Sequence, residues 1–329
     1  MIMKATLNEL FEHRNLSEQE AYNLMNTLVT SDVNDAHTAA LLSAFIMRDI
    51  GLPEIKGFRR ALLDLAVPFK TQGETIDLCG TGGDGKNTFN ISTLTSFVVA
   101  AAGARVVKHG NYGVSSVSGS SDVMEYLGYK FTNKQDVLQA QLDKCGICFL
   151  HAPLFHPALK KVAQVRKQLG VKTFFNMLGP LVNPANPTYH FTGTYNLQLA
   201  RLYHYLFQQQ GDKYVVVHSL DGYDEISLTA PCKWYSDNRE FIFTANDWNL
   251  PELKQEMLFG GNTVQEAAEL FTTVLQGWGT AAQNAVISAN SGAALHCIDP
   301  GTSVNDQIAV ASEILLSGKA FEIFKKLMA

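Results

Sequence analysis

The residues of this chain best suited to chemistry lie in one stretch, Asp77 to Asp122, and in an acidic pair far downstream, Asp224-Glu225. Gly80, Gly82, Gly83 and Gly85 crowd one short loop of the stretch. Glycine lets the backbone turn with positive φ and come close to a ligand, so the amides of such a loop can converge on phosphate oxygens at a helix N-terminus. Asn90-Ile91-Ser92-Thr93 opens the apolar helical run that follows, and Lys108-His109-Gly110-Asn111 leads into a Ser/Gly tract with Ser115, Ser116, Ser118 and Ser120. Cation, hydroxyls and glycine loop together suggest polyphosphate binding. Adjacent carboxylates on a loop can turn toward one ion, whereas in a strand they would face opposite sides. Taken alone, Asp224-Glu225 reads as an exposed acidic loop; beside a polyphosphate it suits Mg²⁺, which is held by one or two carboxylates, water and substrate oxygens.

Two familiar phosphate motifs almost fit the loop, and each fails at a residue its chemistry requires. Gly80-Thr81-Gly82-Gly83-Asp84-Gly85 satisfies G-x-G-x-x-G, but a dinucleotide site needs an acidic residue about 20 positions on for the ribose hydroxyl, and the second strand leads instead into Lys108 and His109. Gly80 to Lys86 also spells G-x-x-x-x-G-K, yet Asn87 stands where a nucleoside triphosphatase places Ser or Thr on magnesium. A glycine-rich turn joining strand to helix is the plainer reading of the loop by itself. The helix start at Asn90 and the Lys108 segment count against it.

The order and spacing of Gly80-Thr81-Gly82-Gly83-Asp84, Asn90-Ile91-Ser92-Thr93, Lys108-His109-Gly110-Asn111, Ser115-Ser116 and Ser118-Gly119-Ser120 resemble the anthranilate phosphoribosyltransferase family. The likeness extends over nearly the whole chain, including 166–184 and Asp224-Glu225. It implies transfer of a 5-phosphoribosyl group from 5-phosphoribosyl 1-pyrophosphate to the amino group of anthranilate, with release of pyrophosphate, in tryptophan biosynthesis. It implies a donor site of Gly80, Gly83, Asp84, Thr88, Asn90, Ile91, Ser92, Thr93, Lys108, His109, Gly110, Asn111, Ser115, Ser116 and Ser120. Anthranilate is expected against Gly80, Asn111, His156, Arg166 and Pro180, and Mg²⁺, two ions per subunit, on Ser92, Asp224 and Glu225. Arg166 is by itself a helix-surface cation; its planar fork also binds a carboxylate bidentately, as a benzoate-type acceptor requires. Asn111, between donor and acceptor, would orient the amine, and Asp84 would bind ribose hydroxyls or metal-bound water. His151 and His156 flank a strand exit, where a histidine is more often packed than catalytic; in the family the His156-Pro157-Ala158 segment lies by the acceptor. Tyr112 stands where the family commonly has Arg, which removes one cation near the phosphates. Two other readings share the architecture: a pyrimidine nucleoside phosphorylase-like enzyme, and a non-enzymatic relative that binds nucleic acid.

The elements that must position these residues change character along the chain. Residues 1–71 read as helices only: Ser17-Glu18-Gln19-Glu20 is a capping box, Ala21, Leu24, Met25 and Leu28 repeat at helical spacing, and further helices start near Asn34-Asp35 and Pro53. From 72 to 329, strands alternate with helices. The expected fold is therefore α/β: a small all-helical N-terminal domain plus a larger α/β domain with a mostly parallel central sheet and surrounding helices. Strands are expected over 75–79, 104–107 and 214–218, with a helix over 92–102; the glycine loop and the Lys108 segment then leave strand carboxyl ends and face one cleft. Pro184 and Pro187 mark a rigid connection, and the resemblance implies that the chain crosses back to the helical domain near 168–190, making that cleft an interdomain one. It also implies a homodimer through the helical region.

A net charge of −5 argues against a broad footprint for nucleic acid or an anionic membrane. The longest uncharged stretch, 279–298, is too rich in Asn, Ser, Gln and Gly to face lipid. Five cysteines in a chain of this size do not make a disulfide scaffold, and the reducing cytoplasm is the natural setting.

Overall fold

A computed structural model of the chain describes residues 2–113, 117–237 and 239–329. Two compact units are present, a helical one from Met1–Pro68 and Ala152–Pro184 and an α/β one from Phe69–His151 and Ala185–Ala329. The segment that returns to the helical unit begins at Ala152, before the crossing near 168–190 read from the sequence. The reason is the helix Lys160–Leu169, which buries Val162 and Val165 and packs on the helices Glu18–Thr30 and Asp35–Ile46.

In the helical unit the Ser17 box forms as expected, with the Glu20 amide donating to the Ser17 hydroxyl and the Ser17 amide to the Glu20 carboxylate. The helix Leu52–Asp64 crosses Glu18–Thr30 at Gly57, where a Cβ would lie 2.7 Å from that of Ala21, so only hydrogen fits. Glu54 is fully buried beneath this crossing. Arg48 clasps it with both terminal nitrogens, 2.5 and 3.0 Å away, and the Leu16 and Gly51 amides complete its shell. Phe45, Phe58 and Phe174 form the aromatic centre of this unit, with ring centroids 4.9–5.4 Å apart.

The α/β unit is built on a seven-stranded sheet: β1 (Ile76–Leu78), β2 (Val106–Gly110), β3 (Ile147–His151), β4 (Tyr189–Gly193), β5 (Lys213–Ser219), β6 (Cys232–Ser236) and β7 (Glu240–Phe243), in the order β3-β2-β1-β4-β5-β6-β7. β1 to β5 run parallel, and β6 pairs antiparallel with both β5 and β7. The helices Ile91–Ala101 and Ala281–Ile298 are buried along most of their length, small polar residues included, and fill the core against the sheet. Strand order reverses between β1 and β4, and ligands of such sheets bind beyond the carboxyl ends at that point.

One boundary departs from the sequence reading with consequences for chemistry. β2 does not stop at residue 107: Lys108, His109 and Gly110 continue to pair with Phe149, Leu150 and His151. The partner strand's apolar run extends the ladder, so Lys108 and His109 are buried strand residues, each 2% exposed, rather than members of a loop.

Candidate active site

The loop after β1 is shaped by glycine where shape matters. Gly82, Gly83 and Gly85 all take positive φ. Gly80 sits so close to Asp224 that a Cβ would fall 2.5 Å from Oδ2. The loop is seated on β4, through the Thr81 amide bonded to the Gly193 carbonyl at 3.0 Å, and on Asp224, whose Oδ2 accepts from the Gly82 amide at 2.6 Å. Its far side is pinned by Asn87, which donates to the Gly261 carbonyl at 2.7 Å, and by a bridge between Thr88 and Phe259. The helix Ile91–Ala101 then starts with Asn90 as cap residue. Asn90 Nδ2 donates to the Ser118 carbonyl at 3.2 Å while its Oδ1 is buried with no partner among the described residues, an acceptor left for a ligand hydroxyl.

Behind the loop three carboxyl groups gather. Burial and the neighbouring Asp84 carboxylate push Asp224 up to about 7. Desolvation and Asp224 drive Glu225 well above the usual carboxylate range, against the pull of the Lys108 ammonium and the Ser92 amide. Asp84 is also raised by burial, although it accepts from the Lys86 amide at 2.9 Å. Lys108 Nζ donates to the Leu78 carbonyl at 2.6 Å and reaches the Ser92 hydroxyl at 3.4 Å, so it ties β1 to the helix start and brings Ser92 to the acidic pair. Like charges forced together in a desolvated place call for a cation, and the all-oxygen donor set fits Mg²⁺. Among the described residues no three His, Cys, Asp or Glu side chains are disposed to hold an ion alone.

In the helical unit, Arg166 lies in the last turn of its helix, partly buried. Asn176 Oδ1 accepts from its Nη2 at 3.2 Å, and its guanidinium stands over Phe175 at 5.3 Å. No acidic group pairs with it among the described residues, and burial lowers its pKa. A held, desolvated guanidinium without a counter-ion is a receptor for an anion. His156 is 5% exposed, its Nε2 2.9 Å from the Val182 carbonyl, so its ring pins the 179–184 segment within this unit.

Comparison with known proteins now decides the family. The description "Glycosyl transferase family, helical bundle domain" matches residues 4–66, and "Glycosyl transferase family, a/b domain" matches residues 72–321. The anthranilate phosphoribosyltransferase of Flavobacterium psychrophilum is 51% identical over 99% of this chain and 98% of its own length. This chain belongs to the anthranilate phosphoribosyltransferase family. The crystal structure of the family's enzyme from Thermus thermophilus superposes with a TM-score of 0.91 at 32% identity, covering 98% of both chains. The Saccharomyces cerevisiae enzyme in complex with PRPP and Mg shares the fold, with a TM-score of 0.89 at 24% identity over 99% of this chain and 96% of that one.

Of the residues the family resemblance singles out, the α/β unit gathers Gly80, Gly83, Asp84, Asn90, Ser92, Lys108, Asp224 and Glu225 around the ends of β1 and β4. Ile91, Thr93 and His109 are buried in the core, and the His109 amide is held by Asp77 at 3.0 Å. Gly110 packs on the Ser120 hydroxyl, which donates to the Asn111 carbonyl at 3.3 Å. Arg166, His156 and Pro180 lie in the helical unit. Ser115 and Ser116 lie outside the described residues. Gly193 and Asn176 carry roles that the sequence reading did not give them. A glycine closing a strand is the signal that marks close backbone approach; it was present at Gly193 but the strand itself was not recognised.

Proposed function

We propose that this chain transfers the 5-phosphoribosyl group of 5-phosphoribosyl 1-pyrophosphate to the amino nitrogen of anthranilate, releasing pyrophosphate, in tryptophan biosynthesis. The observation that carries the reading is the meeting, at the switch between β1 and β4, of a glycine loop shaped for phosphate and a desolvated acidic pair. The bond from ribose C1 to the pyrophosphate oxygen breaks, leaving positive charge on the ring and negative charge on the leaving group, and the amine nitrogen closes on C1. Loop amides other than those of Thr81 and Gly82, which Gly193 and Asp224 already hold, meet the negative charge where it grows, and Asn90 accepts from a ribose hydroxyl. Lys108 contributes from beneath by holding Ser92 and Glu225 in place. Asp224, Glu225 and Ser92 would hold Mg²⁺, two ions per subunit, which neutralises charge on the diphosphate when bound. Asn111 orients the amine, and positioning rather than proton abstraction supplies the rate.

Arg166 receives the anthranilate carboxylate in this reading. The test follows the loss of anthranilate fluorescence with donor and magnesium present. Arg166→Ala should raise KM for anthranilate about 10- to 100-fold, the cost of a lost charged hydrogen-bond pair, with a smaller change in KM for the donor. Arg166→Lys should recover only part, because a point charge cannot make the fork. An unchanged KM in the alanine variant would remove the acceptor assignment.

The proposed setting is the reducing cytoplasm, where the five free thiols stay reduced, and the proposed assembly is a homodimer through the helical unit. Phe11, Ile46 and Met47 support it: they are 58%, 45% and 78% exposed at the ends of two helices that pack together. Met47→Glu should weaken dimerisation in sedimentation equilibrium by about tenfold to a hundredfold, the worth of one buried apolar side chain. A parent chain that sediments as a monomer at micromolar concentration would refute this assembly.

A further inference from the structure

A second set of contacts, away from the phosphate loop, fixes the place of Asn111. His151 ends β3 and is 5% exposed, its ring stacked on Phe131 with centroids 4.5 Å apart and met edge-on by Tyr112 at 4.9 Å. Its Nδ1 lies 2.9 Å from the hydroxyl of Ser121, itself buried. Burial lowers the His151 pKa, and its Nδ1 and the hydroxyl share this hydrogen bond whichever tautomer the ring takes. Ser121 in turn gives its amide to the Asn111 carbonyl at 3.2 Å. Tyr112, the next residue, donates its amide to the Asn111 side-chain oxygen at 2.8 Å and its phenol to Glu125 at 3.3 Å. An aromatic ring at 112 offers no charge to a phosphate. What it does here is close a cage over His151.

We infer that His151 is a positioning residue for the transfer: through Ser121 and Tyr112 it sets the place of Asn111 without touching either substrate. The inference rests on the proposed reaction and on Asn111 as the group that orients the amine. His151 sits at the junction because one ring makes both connections. Its edge nitrogen bonds to the element that holds the Asn111 carbonyl, and its face lies under the residue that holds the Asn111 side chain.

The experiment separates this role from plain packing. Ser121→Ala removes the hydroxyl, and His151→Phe removes the ring nitrogen while keeping a ring between Phe131 and Tyr112. Each should lower kcat about three- to tenfold, the worth of one hydrogen bond, with KM for the donor within about twofold. His151→Asn, which keeps an acceptor near the position of Nδ1, should be faster than His151→Phe. Asn111→Ala made in the Ser121→Ala background should cost several-fold less than in the parent chain, because residues acting as one unit are not additive. Equal costs of Asn111→Ala in both backgrounds, or parental kcat in Ser121→Ala and His151→Phe, would overturn the inference. Should a His151 variant fail to fold, the Ser121 and Asn111 pair decides alone. A parent chain that consumes no anthranilate would instead overturn the reaction on which this rests.

Discussion

Asp224→Asn is expected to unfold at a higher temperature than the parent chain when magnesium is withheld, and to transfer almost nothing. Burial and Asp84 raise the Asp224 carboxyl to about 7 from an ordinary 3.8. A carboxyl whose pKa is higher in the folded chain than in the unfolded one costs nothing below the unfolded value, where both states are protonated. The cost grows as pH rises and is complete above the folded value. At pH 8 the ionised side chain therefore works against folding, by an amount on the order of a few kcal/mol that its sharing with Asp84 reduces. Asparagine keeps an oxygen for the Gly82 amide and removes the charge. A gain of about 3–8 °C in melting midpoint is expected at pH 8, in chelator, and a smaller gain at pH 5, where the folded parent already holds the proton. The same change removes a hard anionic ligand from the leaving diphosphate's cation, so kcat/KM should fall about 10²- to 10³-fold. A variant less stable than the parent at pH 8, or one with ordinary activity, would refute this account of the acidic pair.

Gly193→Ala is expected to lose both stability and activity. The Cβ it introduces would run into the backbone carbonyl of Asp224, an atom that cannot rotate away as a side-chain end can. Because Gly193 also presents its carbonyl to the Thr81 amide, any retreat of β4 moves the glycine loop and the acidic pair apart together. Overpacking of this kind costs about 3 kcal/mol, which corresponds to roughly 6–12 °C in the melting midpoint of a unit this large. Activity should fall further than the unfolded fraction explains. Gly211→Ala is the control: that glycine also lies in the α/β unit, but no atom lies within 4 Å of its added Cβ, and its positive φ should cost only about 1 kcal/mol. Parental melting behaviour in Gly193→Ala would show that β4 has room to yield.

How far the sequence disclosed this arrangement follows from how local each signal is. The Ser17 capping box, the helix starts and the strand over 214–218 are set by neighbouring residues, and each formed close to where the pattern put it. The α/β class was equally legible; the glycine loop and the acidic pair, each an ordinary turn or acidic loop when taken alone, gained meaning only from being read together and with the family resemblance. What escaped depends on partners distant in the chain. β2 runs on to Gly110 only because β3 offers a ladder to pair with. β4 was missed because His190 and Thr192 interrupt its apolar run, although both are buried in the sheet. Its omission hid the switch point and with it the role of Gly193. Lys108 reads as a phosphate ligand in sequence, yet its ammonium is spent on Leu78 and Ser92. Only the fold shows that its charge acts from below.

The helical unit is assembled from two stretches of chain separated by 69–151. During synthesis its first helices leave the ribosome with their Phe45 and Phe58 rings exposed, since Phe174 has not yet been made. At elongation rates of about 5–20 residues per second, that wait for the missing ring lasts several seconds, long compared with the folding of a helical bundle. A stalled chain released before residue 174 would carry an unfilled aromatic slot beside Phe45 and Phe58.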